Sequence, residues 1–231
     1  MLHDGDQADK KVKTDPSLAY GSKSDLYFRG ARRPFVDILP PNPTGRLLEI
    51  GCGAGKTSAY ALAQGKCGWC CGVELCEGPA AEARTALSQV IVGDVEEIRL
   101  ELPSVSFDVL LMSEVLEHLR NPGEVLARLR GLLRPGALVI AGSPNVCHHT
   151  VIRMLLSGRW DYQLQGIMDE THLRWFTPAT YRRLFENAGY VVDHVGPAFQ
   201  LGPKGRLANI LLLRRFEYLF HSQIELRGHC P

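Results

Sequence analysis

The sequence predicts a doubly wound α/β fold, in which helices cover both faces of a mostly parallel β-sheet. One observation is that short apolar runs alternate with helix-like segments along most of the 231 residues, which favours parallel strands joined by helical crossovers. A second observation comes from residues 46–57, where an apolar run leads into three alternating glycines and then a helix-like segment. Strand, tight turn and helix in this order form the nucleotide-binding opening of such folds.

Seven strands follow from the apolar runs, at residues 46–51, 68–74, 89–92, 107–112, 137–141, 190–195 and 218–226. The helix-like segments between them lie at residues 57–64, 79–87, 95–100, 122–133, 178–188 and 204–216. The helix at 178–188 has the clearest ends, because Thr177 can cap it, Pro178 suits its first turn and Gly189 stops it. Ligands of such sheets bind beyond the carboxyl ends of the strands.

The chain is expected to form a single domain over residues 21–231, preceded by a mobile polar tail at residues 1–20. Residues 21–40 form a predicted helical cap, which ends at a proline-rich stretch. Residues 145–176 interrupt the alternation with a helix-like run followed by the aromatic residues Trp160 and Tyr162. An insertion after the fifth strand would lie over the ligand site as a substrate lid.

Composition and charge exclude several function classes. The net charge of +1 lacks the basic excess of a nucleic-acid-binding protein, no apolar run reaches the ~18 residues of a membrane span, and the polar N-terminus carries no secretion signal. Seven cysteines, an odd number without such a signal, indicate reduced thiols and a cytoplasmic location. Cys67 and Cys70 hint at zinc, but no second paired motif accompanies them, so no metal site is predicted.

The glycine stretch distinguishes between three nucleotide-binding motifs. The dinucleotide motif G-x-G-x-x-G requires glycine where Lys56 stands, and the phosphate loop G-x-x-x-x-G-K-[ST] requires glycine where Ile50 stands. The third motif, acid-x-G-x-G-x-G, is complete from Glu49 to Gly55. Its glycines allow a ligand to lie against bare backbone, and the N–H groups that open the next helix can bind an acidic group.

Further motifs follow the glycine loop in a recognisable order. Glu74 and Asp94 end the second and third strands, a Ser-Glu-Val-Leu-Glu-His run begins at Ser113, and Leu-Arg-Pro-Gly begins at Leu133. With the loop, these motifs make residues 27–196 resemble a class I S-adenosylmethionine (SAM)-dependent methyltransferase of the small-molecule, ubiquinone-type group. The pattern at residues 143–145, 158–162 and 169–177 also resembles methyltransferases associated with polysaccharide biosynthesis.

The resemblance implies a Rossmann-like sheet whose last strand is antiparallel, with SAM as the cofactor. Glu49 and the loop glycines would hold the methionine end of SAM, Glu74 would accept the ribose hydroxyls, and Asp94 would accept the adenine amino group. Tyr27 and Arg33 would fold over the cofactor from the cap. The expected cofactor-binding residues are Tyr27, Glu49, Gly51, Cys52, Gly53, Gly55, Glu74, Leu75, Asp94, Val95, Ser113 and Glu114.

Histidines that follow the fourth strand are the predicted catalytic groups, because a hydroxyl acceptor benefits from a base that is active near neutral pH. The candidates are His118, His149 and His172. Glu114, Glu117 and His118 are expected to share one helical face. The substrate-binding candidates are Arg159, Tyr162, Asp169 and Arg174, of which the two arginines could bind an acidic substrate group.

The predicted function is therefore transfer of a methyl group from SAM to a small-molecule acceptor. We expect the acceptor atom to be a hydroxyl of a sugar, a quinol or a natural-product scaffold, and the alternative is N- or C-methylation. A phosphate-loop nucleotidase, with Thr57 binding magnesium, and a non-catalytic SAM-binding protein are the remaining alternatives. No nucleic-acid partner and no membrane span are expected, and a homodimer is left open.

Overall fold

One seven-stranded sheet organises the fold, as seen in a computed structural model that describes Tyr20, Lys23, residues 28–198 and residues 215–231. The strands lie side by side in the order β3-β2-β1-β4-β5-β7-β6. In chain order they are β1 (Arg46–Ile50), β2 (Trp69–Glu74), β3 (Gln89–Val92), β4 (Phe107–Ser113), β5 (Leu133–Pro144), β6 (Val191–Pro197) and β7 (Gln223–His229). The predicted doubly wound sheet of seven strands is confirmed.

The strand order reverses at β1. This strand pairs in parallel with β2 on one side and with β4 on the other. The chain therefore leaves β1 and β4 towards opposite edges of the sheet, which opens a crevice at the carboxyl ends of these two strands. β7 runs antiparallel to both β5 and β6, so the predicted direction of the last strand is also confirmed.

Helices lie on both faces of this sheet. In chain order they are α1 (Arg33–Asp37), α2 (Lys56–Ala63), α3 (Glu77–Ala83), α4 (Pro122–Arg130), α5 (His149–Leu156) and α6 (Pro178–Asn187). Short 3₁₀ turns occupy Leu116–His118 and Glu217–Phe220. α6 begins as predicted, since Pro178 is at its start and the Thr177 side chain accepts a hydrogen bond from the N–H group of Thr180.

Two apolar cores hold the helices against the sheet. Successive side chains of a strand point to opposite faces, and along β4 Leu110 and Met112 enter the core beneath α4 and α6, whereas Val109 and Leu111 enter the core beneath α1 and α2. All four side chains are buried. A strand that is packed on both faces holds its carboxyl end, and the residues that follow it, in a fixed position.

The fifth strand is longer than its apolar run indicates. β5 covers Leu133–Pro144 rather than residues 137–141, and Leu133 already pairs with Phe107. Gly136 has φ +79°, a backbone conformation that glycine adopts without strain. The Leu-Arg-Pro-Gly sequence therefore lies within the strand and bends it, rather than forming a turn before the strand.

Four other predicted segments differ from the structure or lie beyond it. Residues 95–100 form turns instead of a helix, because the Asp94 carboxylate accepts a hydrogen bond from the N–H of Glu96 and closes a tight turn. The last strand starts at Gln223 rather than at residue 218, because a 3₁₀ turn occupies Glu217–Phe220. The helix predicted at residues 204–216 and the tail predicted at residues 1–20 fall largely outside the described residues.

Residues 145–176, here called the lid segment, cross the carboxyl edge of the sheet. The segment contains α5 and then continues without a further helix or strand of its own. The N–H groups of Leu173 and Arg174 donate to the Glu117 carbonyl at 2.8 and 2.9 Å, and Asn145 forms a β-bridge with Phe176. The two bonds to Glu117 attach the lid segment to the residues after β4, and the bridge joins the two ends of the segment to each other. Among the described residues, no helix is both long enough and apolar enough to cross a bilayer.

Candidate functional site

A cavity of about 1820 Å³ opens at the carboxyl ends of β1, β2 and β4, which is where the order of strands predicts a ligand site. The predicted residues that line it are Glu49, Gly51, Cys52, Gly53, Glu74, Leu75, Asp94, Val95, Ser113, Glu114, His118, Asp169 and His172. The predicted residues outside its lining are Gly55, His149, Arg159, Tyr162 and Arg174. Tyr27 lies outside the described residues.

The glycine loop forms one wall of the cavity in a conformation that side chains disfavour. Gly51 and Gly53 have φ values of +69° and +52°. A Cβ atom on Gly53 would lie 2.5 Å from the carbonyl oxygen of Phe28, and that same oxygen accepts a hydrogen bond from Ala54. The loop therefore needs glycine at position 53 both for its backbone angle and for the close approach of the N-terminal residues.

Gly55 supports the loop from behind. It precedes the first residue of α2 and has φ +74°. A Cβ atom on it would meet Ala83 at 3.1 Å and Leu87 at 3.0 Å. This glycine therefore permits close packing of α2 on α3, which is a structural role next to the cavity.

Glu49 is the acidic residue that opens the motif, and it is buried behind the loop. Its Oε2 atom accepts hydrogen bonds from the Ser58 N–H at 3.2 Å and from the Ser58 hydroxyl. Burial raises the pKa of Glu49 to about 7. Its carboxyl group touches the cavity, but these bonds make it first of all a brace between β1 and the first turn of α2, where a negative group is favourable.

Glu74 closes the loop from the end of β2. Its two carboxylate oxygens accept hydrogen bonds from the N–H groups of Gly53 at 2.8 Å and Cys76 at 3.0 Å. Burial raises its pKa. Each oxygen keeps a further lone pair, so this buried carboxylate can accept a ligand hydroxyl from the cavity without giving up its backbone bonds.

The far end of the cavity carries Asp94 and Arg120. The Arg120 guanidinium lies 3.7 Å from the Asp94 carboxylate and 3.7 Å from the Glu96 carboxylate. Asp94 follows β3, as predicted, and its side chain is only 16% exposed. This arrangement gives the far end a hydrogen-bond acceptor beside apolar walls such as Val95 and Leu119.

Arg32 lies near the glycine loop, and no sequence motif indicates its role. Its N–H donates to the Thr57 hydroxyl at 3.2 Å, and its guanidinium lies 3.9 Å from the Glu114 carboxylate. Arg33, the arginine that was expected to cover the cofactor, instead lies over the Tyr60 ring at 5.4 Å and does not line the cavity. A single arginine in the cap carries no motif that could have distinguished it from its neighbour.

Glu114, Glu117 and His118 do not share a helical face, so that expectation was wrong. Glu114 has φ +59°, and the 3₁₀ turn that follows covers only Leu116–His118. Positive φ in a residue with a side chain costs free energy and marks a constrained site. The strained backbone directs the chain sharply away from β4, and the Glu114 carboxyl group ends beside Arg32.

Two histidines meet on the side of the cavity that the lid segment covers. The His118 and His172 rings are 4.8 Å apart between centroids, in an edge-to-face arrangement. The Nδ1 atoms lie 3.1 Å from the Thr171 carbonyl and 3.0 Å from the Ile167 carbonyl, respectively. A carbonyl accepts only, so each Nδ1 carries the proton and each Nε2 keeps a lone pair. Burial lowers the pKa of His118 to about 4 and lowers that of His172.

The lid segment is held down by a buried ion pair with the N-terminal region. Lys23 donates to both carboxylate oxygens of Asp169 at 2.7 Å, and the two side chains are 4% and 2% exposed. Asp169 also accepts hydrogen bonds from the N–H and hydroxyl of Thr171. Asp169 therefore fixes the backbone just before His172 rather than presenting a free charge to a substrate.

The other predicted acceptor-side residues lie away from the cavity. His149 begins α5 and its Nδ1 atom lies 3.1 Å from the Leu219 carbonyl. Arg159 pairs with Asp161, and Arg174 donates to the Arg120 carbonyl. Tyr162 is 55% exposed and its ring is 6.2 Å from that of Trp175. The cavity is instead lined on this side by residues that the sequence did not indicate, among them Tyr20, Gln163, Gln165, Thr171 and Gln223.

Comparison with known proteins agrees with the geometry. Residues 26–195 match a family described as a methyltransferase domain. A ubiquinone biosynthesis O-methyltransferase of Aeromonas salmonicida is 28% identical over 152 residues, which cover 64% of this chain and 63% of that protein. The enzyme of the same name from Burkholderia lata is 26% identical over 219 residues, which cover 87% of this chain and 90% of that protein.

A solved structure has the same fold. The S-adenosylmethionine-dependent methyltransferase from Mesorhizobium loti superposes with a TM-score of 0.61 at 17% identity, covering 87% of this chain and 99% of that one. The family match spans well over half of the residues. The chain therefore belongs to the methyltransferase domain family, and the predicted resemblance to a class I SAM-dependent methyltransferase is confirmed.

Proposed function

We propose that this protein transfers the methyl group of SAM to a hydroxyl group of a small-molecule acceptor. In this reaction the acceptor oxygen attacks the methyl carbon in line with the carbon–sulfur bond, which breaks. The products are the methyl ether and S-adenosylhomocysteine, and the hydroxyl proton leaves to a base. Since the sulfonium is already activated, the protein contributes mainly alignment and exclusion of water.

The part of the cavity lined by the glycine loop, Glu74 and Asp94, here called the cofactor half, supports this assignment. Glu74 has lone pairs for the ribose hydroxyls, and Asp94 has them for the adenine amino group. The glycine loop leaves room for the methionine end beside bare backbone. Of the two arginines that line the described cavity, Arg32 is the one whose backbone N–H donates to Thr57 next to this loop, so we assign it to the methionine carboxylate. S-adenosylmethionine therefore fits the residues present.

The part of the cavity lined by His118 and His172, here called the acceptor half, provides the observation that carries the proposal. His118 and His172 line the same cavity as Glu74 and the glycine loop, beneath the lid segment. Unprotonated imidazoles beside an acceptor suit a hydroxyl that must lose its proton near neutral pH. The ubiquinone O-methyltransferases that resemble this chain are named for oxygen methylation, which favours oxygen over nitrogen or carbon.

Neutral acceptors fit the described lining better than anionic ones. Of the two arginines in the lining, Arg32 is assigned to the methionine carboxylate, and Arg120 already faces the carboxylates of Asp94 and Glu96. The two arginines predicted to bind an acidic substrate, Arg159 and Arg174, lie outside the cavity. A hydroxyl of a sugar, a quinol or a natural-product scaffold remains the proposed acceptor.

The test is binding and turnover with the purified full-length protein. Calorimetry should show binding of SAM and S-adenosylhomocysteine and no competition from ATP with magnesium. Radiolabelled SAM should then transfer its methyl group to a member of a panel of catechols, quinols and sugars. Binding of ATP–magnesium in place of SAM would support a phosphate-loop nucleotidase, and SAM binding without transfer to any acceptor would support a non-catalytic protein.

We also propose that residues 145–176 act as a lid over the acceptor within a single domain at residues 21–231, and that the protein works in the cytoplasm. Five of the seven cysteines are buried thiols, which suits a reducing compartment. A homodimer stays a prediction, which size-exclusion chromatography with light scattering would test directly.

A further inference from the structure

Three side chains at the boundary between β4 and the lid segment place atoms that could bind a metal ion close to one another. Glu117, His118 and His172 each contribute one such atom, and all three atoms lie within 4.8 Å of each other. Glu117 is 1% exposed and His172 is 6% exposed. None of these three side chains was assigned a role in holding SAM.

The free atoms are unsatisfied in a way that polar groups inside proteins rarely are. Glu117 Oε1 and His118 Nε2 are buried and have no hydrogen-bond partner among the described residues. The second oxygen of Glu117 is already used, since it accepts from the Ser143 hydroxyl at 3.1 Å. A buried polar atom without a partner costs free energy, which suggests a group that completes the site.

The histidines are oriented as metal ligands usually are. A metal-binding imidazole typically donates its other ring N–H to a carbonyl or carboxylate, which fixes the ring and directs the lone pair at the ion. His118 does so towards the Thr171 carbonyl, and His172 does so towards the Ile167 carbonyl. Both acceptors are backbone atoms of the lid segment, so the rings cannot rotate freely.

We propose that Glu117, His118 and His172 bind one divalent transition-metal ion of the zinc class, and that this ion fastens the lid segment to the end of β4. Two imidazoles and one carboxylate suit zinc and its neighbours, whereas magnesium and calcium prefer oxygen ligands. Three protein ligands leave a fourth position open. Because His118 and His172 line the cavity, that open position is on the acceptor side.

Binding would draw the lid segment inward. Ligands at ~2.0–2.1 Å from a tetrahedral zinc ion are about 3.4 Å from one another, while the present limit is 4.8 Å. His172 belongs to the lid segment, and the other two ligands follow β4. An ion at this position would therefore hold the two elements together at the lid side of the cavity. Within the proposed function, an ion on these lone pairs would take the place of the imidazole base, because its open position would orient the acceptor hydroxyl and lower the pKa of that hydroxyl.

The test measures metal binding directly, without turnover. Full-length protein is stripped with a chelator and titrated with Zn²⁺ by calorimetry and with Co²⁺ by visible absorption. We expect one ion per chain and Co²⁺ bands of low-coordinate nitrogen and oxygen ligation. His172→Ala and the isosteric Glu117→Gln should each weaken Zn²⁺ binding by more than about tenfold. The matched control is His194→Ala, which removes an exposed histidine on β6.

A second readout follows the lid segment itself. Zn²⁺ should slow protease cleavage within residues 157–166 of the wild-type protein and should not do so in Glu117→Gln. Circular dichroism and S-adenosylhomocysteine affinity confirm that each variant is folded. Either absence of Zn²⁺ binding at micromolar concentration or equal binding by wild type, His172→Ala and Glu117→Gln would overturn the proposal. Binding that thiol alkylation abolishes would assign the ion to Cys76 or Cys147 and would also overturn it.

The same samples separate this proposal from the proposed function. Loss of SAM binding with an intact metal site would contradict the methyltransferase assignment of this cavity and leave the metal site standing. Methyl transfer by chelator-stripped protein that binds no Zn²⁺ would contradict the metal site alone.

Discussion

The two halves of the cavity are built in different ways. In the cofactor half, the key contact joins Gly53 to Glu74, which are 21 positions apart in the chain. In the acceptor half, His118 contacts Thr171 across 53 positions and Lys23 contacts Asp169 across 146. One strand–turn–helix unit and the next strand create the first half, whereas the second exists only after distant segments have come together.

The halves also differ in how far their polar groups are satisfied. Glu74 accepts a hydrogen bond from the loop backbone at Gly53, and Glu49 accepts one from the backbone of Ser58 in the first turn of α2, so the cofactor half is fixed before any ligand arrives. Glu117 and His118 keep buried atoms without partners among the described residues. The acceptor half therefore has the character of a site that a ligand completes.

The largest effect is expected from a substitution in the cofactor half, at the point where the glycine loop lies closest to Phe28. Gly53→Val forces a branched side chain to φ +52° and into the Phe28 carbonyl, 2.5 Å from the new Cβ atom. We expect SAM affinity to fall by more than a hundredfold, about 3 kcal/mol, as measured by calorimetry. Gly65→Val is the matched control, because Gly65 has φ +64° but nothing within 4 Å of a Cβ atom. Equal losses in the two variants would show that strain alone decides and that the loop does not hold SAM.

The next effect breaks the acceptor half and leaves the cofactor half intact. His172→Ala should lower kcat about a hundredfold with SAM affinity nearly unchanged, because His172 lines the cavity on the lid side. His149→Ala is the control, since His149 lies outside the cavity on α5, and its kcat should stay within about twofold of wild type. The measurement is methyl transfer at saturating SAM. A similar loss in both variants would mean that the lid segment moves as a whole and that the present cavity lining is not the catalytic one.

A smaller effect is expected at Glu74, whose carboxylate accepts hydrogen bonds from the backbone and is proposed to accept the ribose hydroxyls of SAM as well. Glu74→Ala leaves the N–H groups of Gly53 and Cys76 without their acceptor and also removes the proposed ribose contact. A loss of about 2 kcal/mol, roughly thirtyfold in SAM affinity, is expected. Glu77→Ala, three residues further on, removes an exposed carboxylate that pairs with Arg84, and it should leave the affinity unchanged. Wild-type affinity in Glu74→Ala would place the ribose elsewhere.

The cofactor half was predictable because its signals are local. Short apolar runs predict the strands. The alternating glycines identify the loop that Glu49 precedes, and Glu74 and Asp94 are the acidic residues at the ends of the next two strands. The predicted sheet and the direction of its last strand were confirmed. The contribution of Glu49 as a brace to Ser58 was not visible, because the motif does not say which way a carboxyl group points.

The acceptor half was only partly predictable because its geometry depends on tertiary contacts. The helical face expected at residues 114–118 fails at the positive φ of Glu114, which no local propensity indicates. His172 and His149 had equal standing in the sequence, yet the bonds that tie the lid segment to the residues after β4 bring only His172 to the cavity. Arg32 carries no motif at all, and its place follows from the packing of the cap against the glycine loop.

The smallest expected effect is a change in how the stability of the protein depends on pH. Glu49 is fully buried, and its pKa is raised from 4.5 to about 7, so the folded protein binds more protons than the unfolded chain between these values. Stability must therefore fall as pH rises through this window. The Glu49 contribution between pH 6 and pH 7 is about 1 kcal/mol. Glu49→Gln cannot titrate at this position and keeps an oxygen that can accept from Ser58, so it should lose that part of the slope.

Chemical denaturation at pH 6 and pH 7 measures this difference between wild type and Glu49→Gln. Burial also raises the pKa values of Glu74 and Glu117, and these groups act in the same direction, so only the difference between the two proteins belongs to Glu49. Identical slopes would mean that Glu49 is already ionised in the folded state at pH 6. The brace to Ser58 would then be a bond to a charged carboxylate, and the cofactor half would be more open to solvent than its burial indicates.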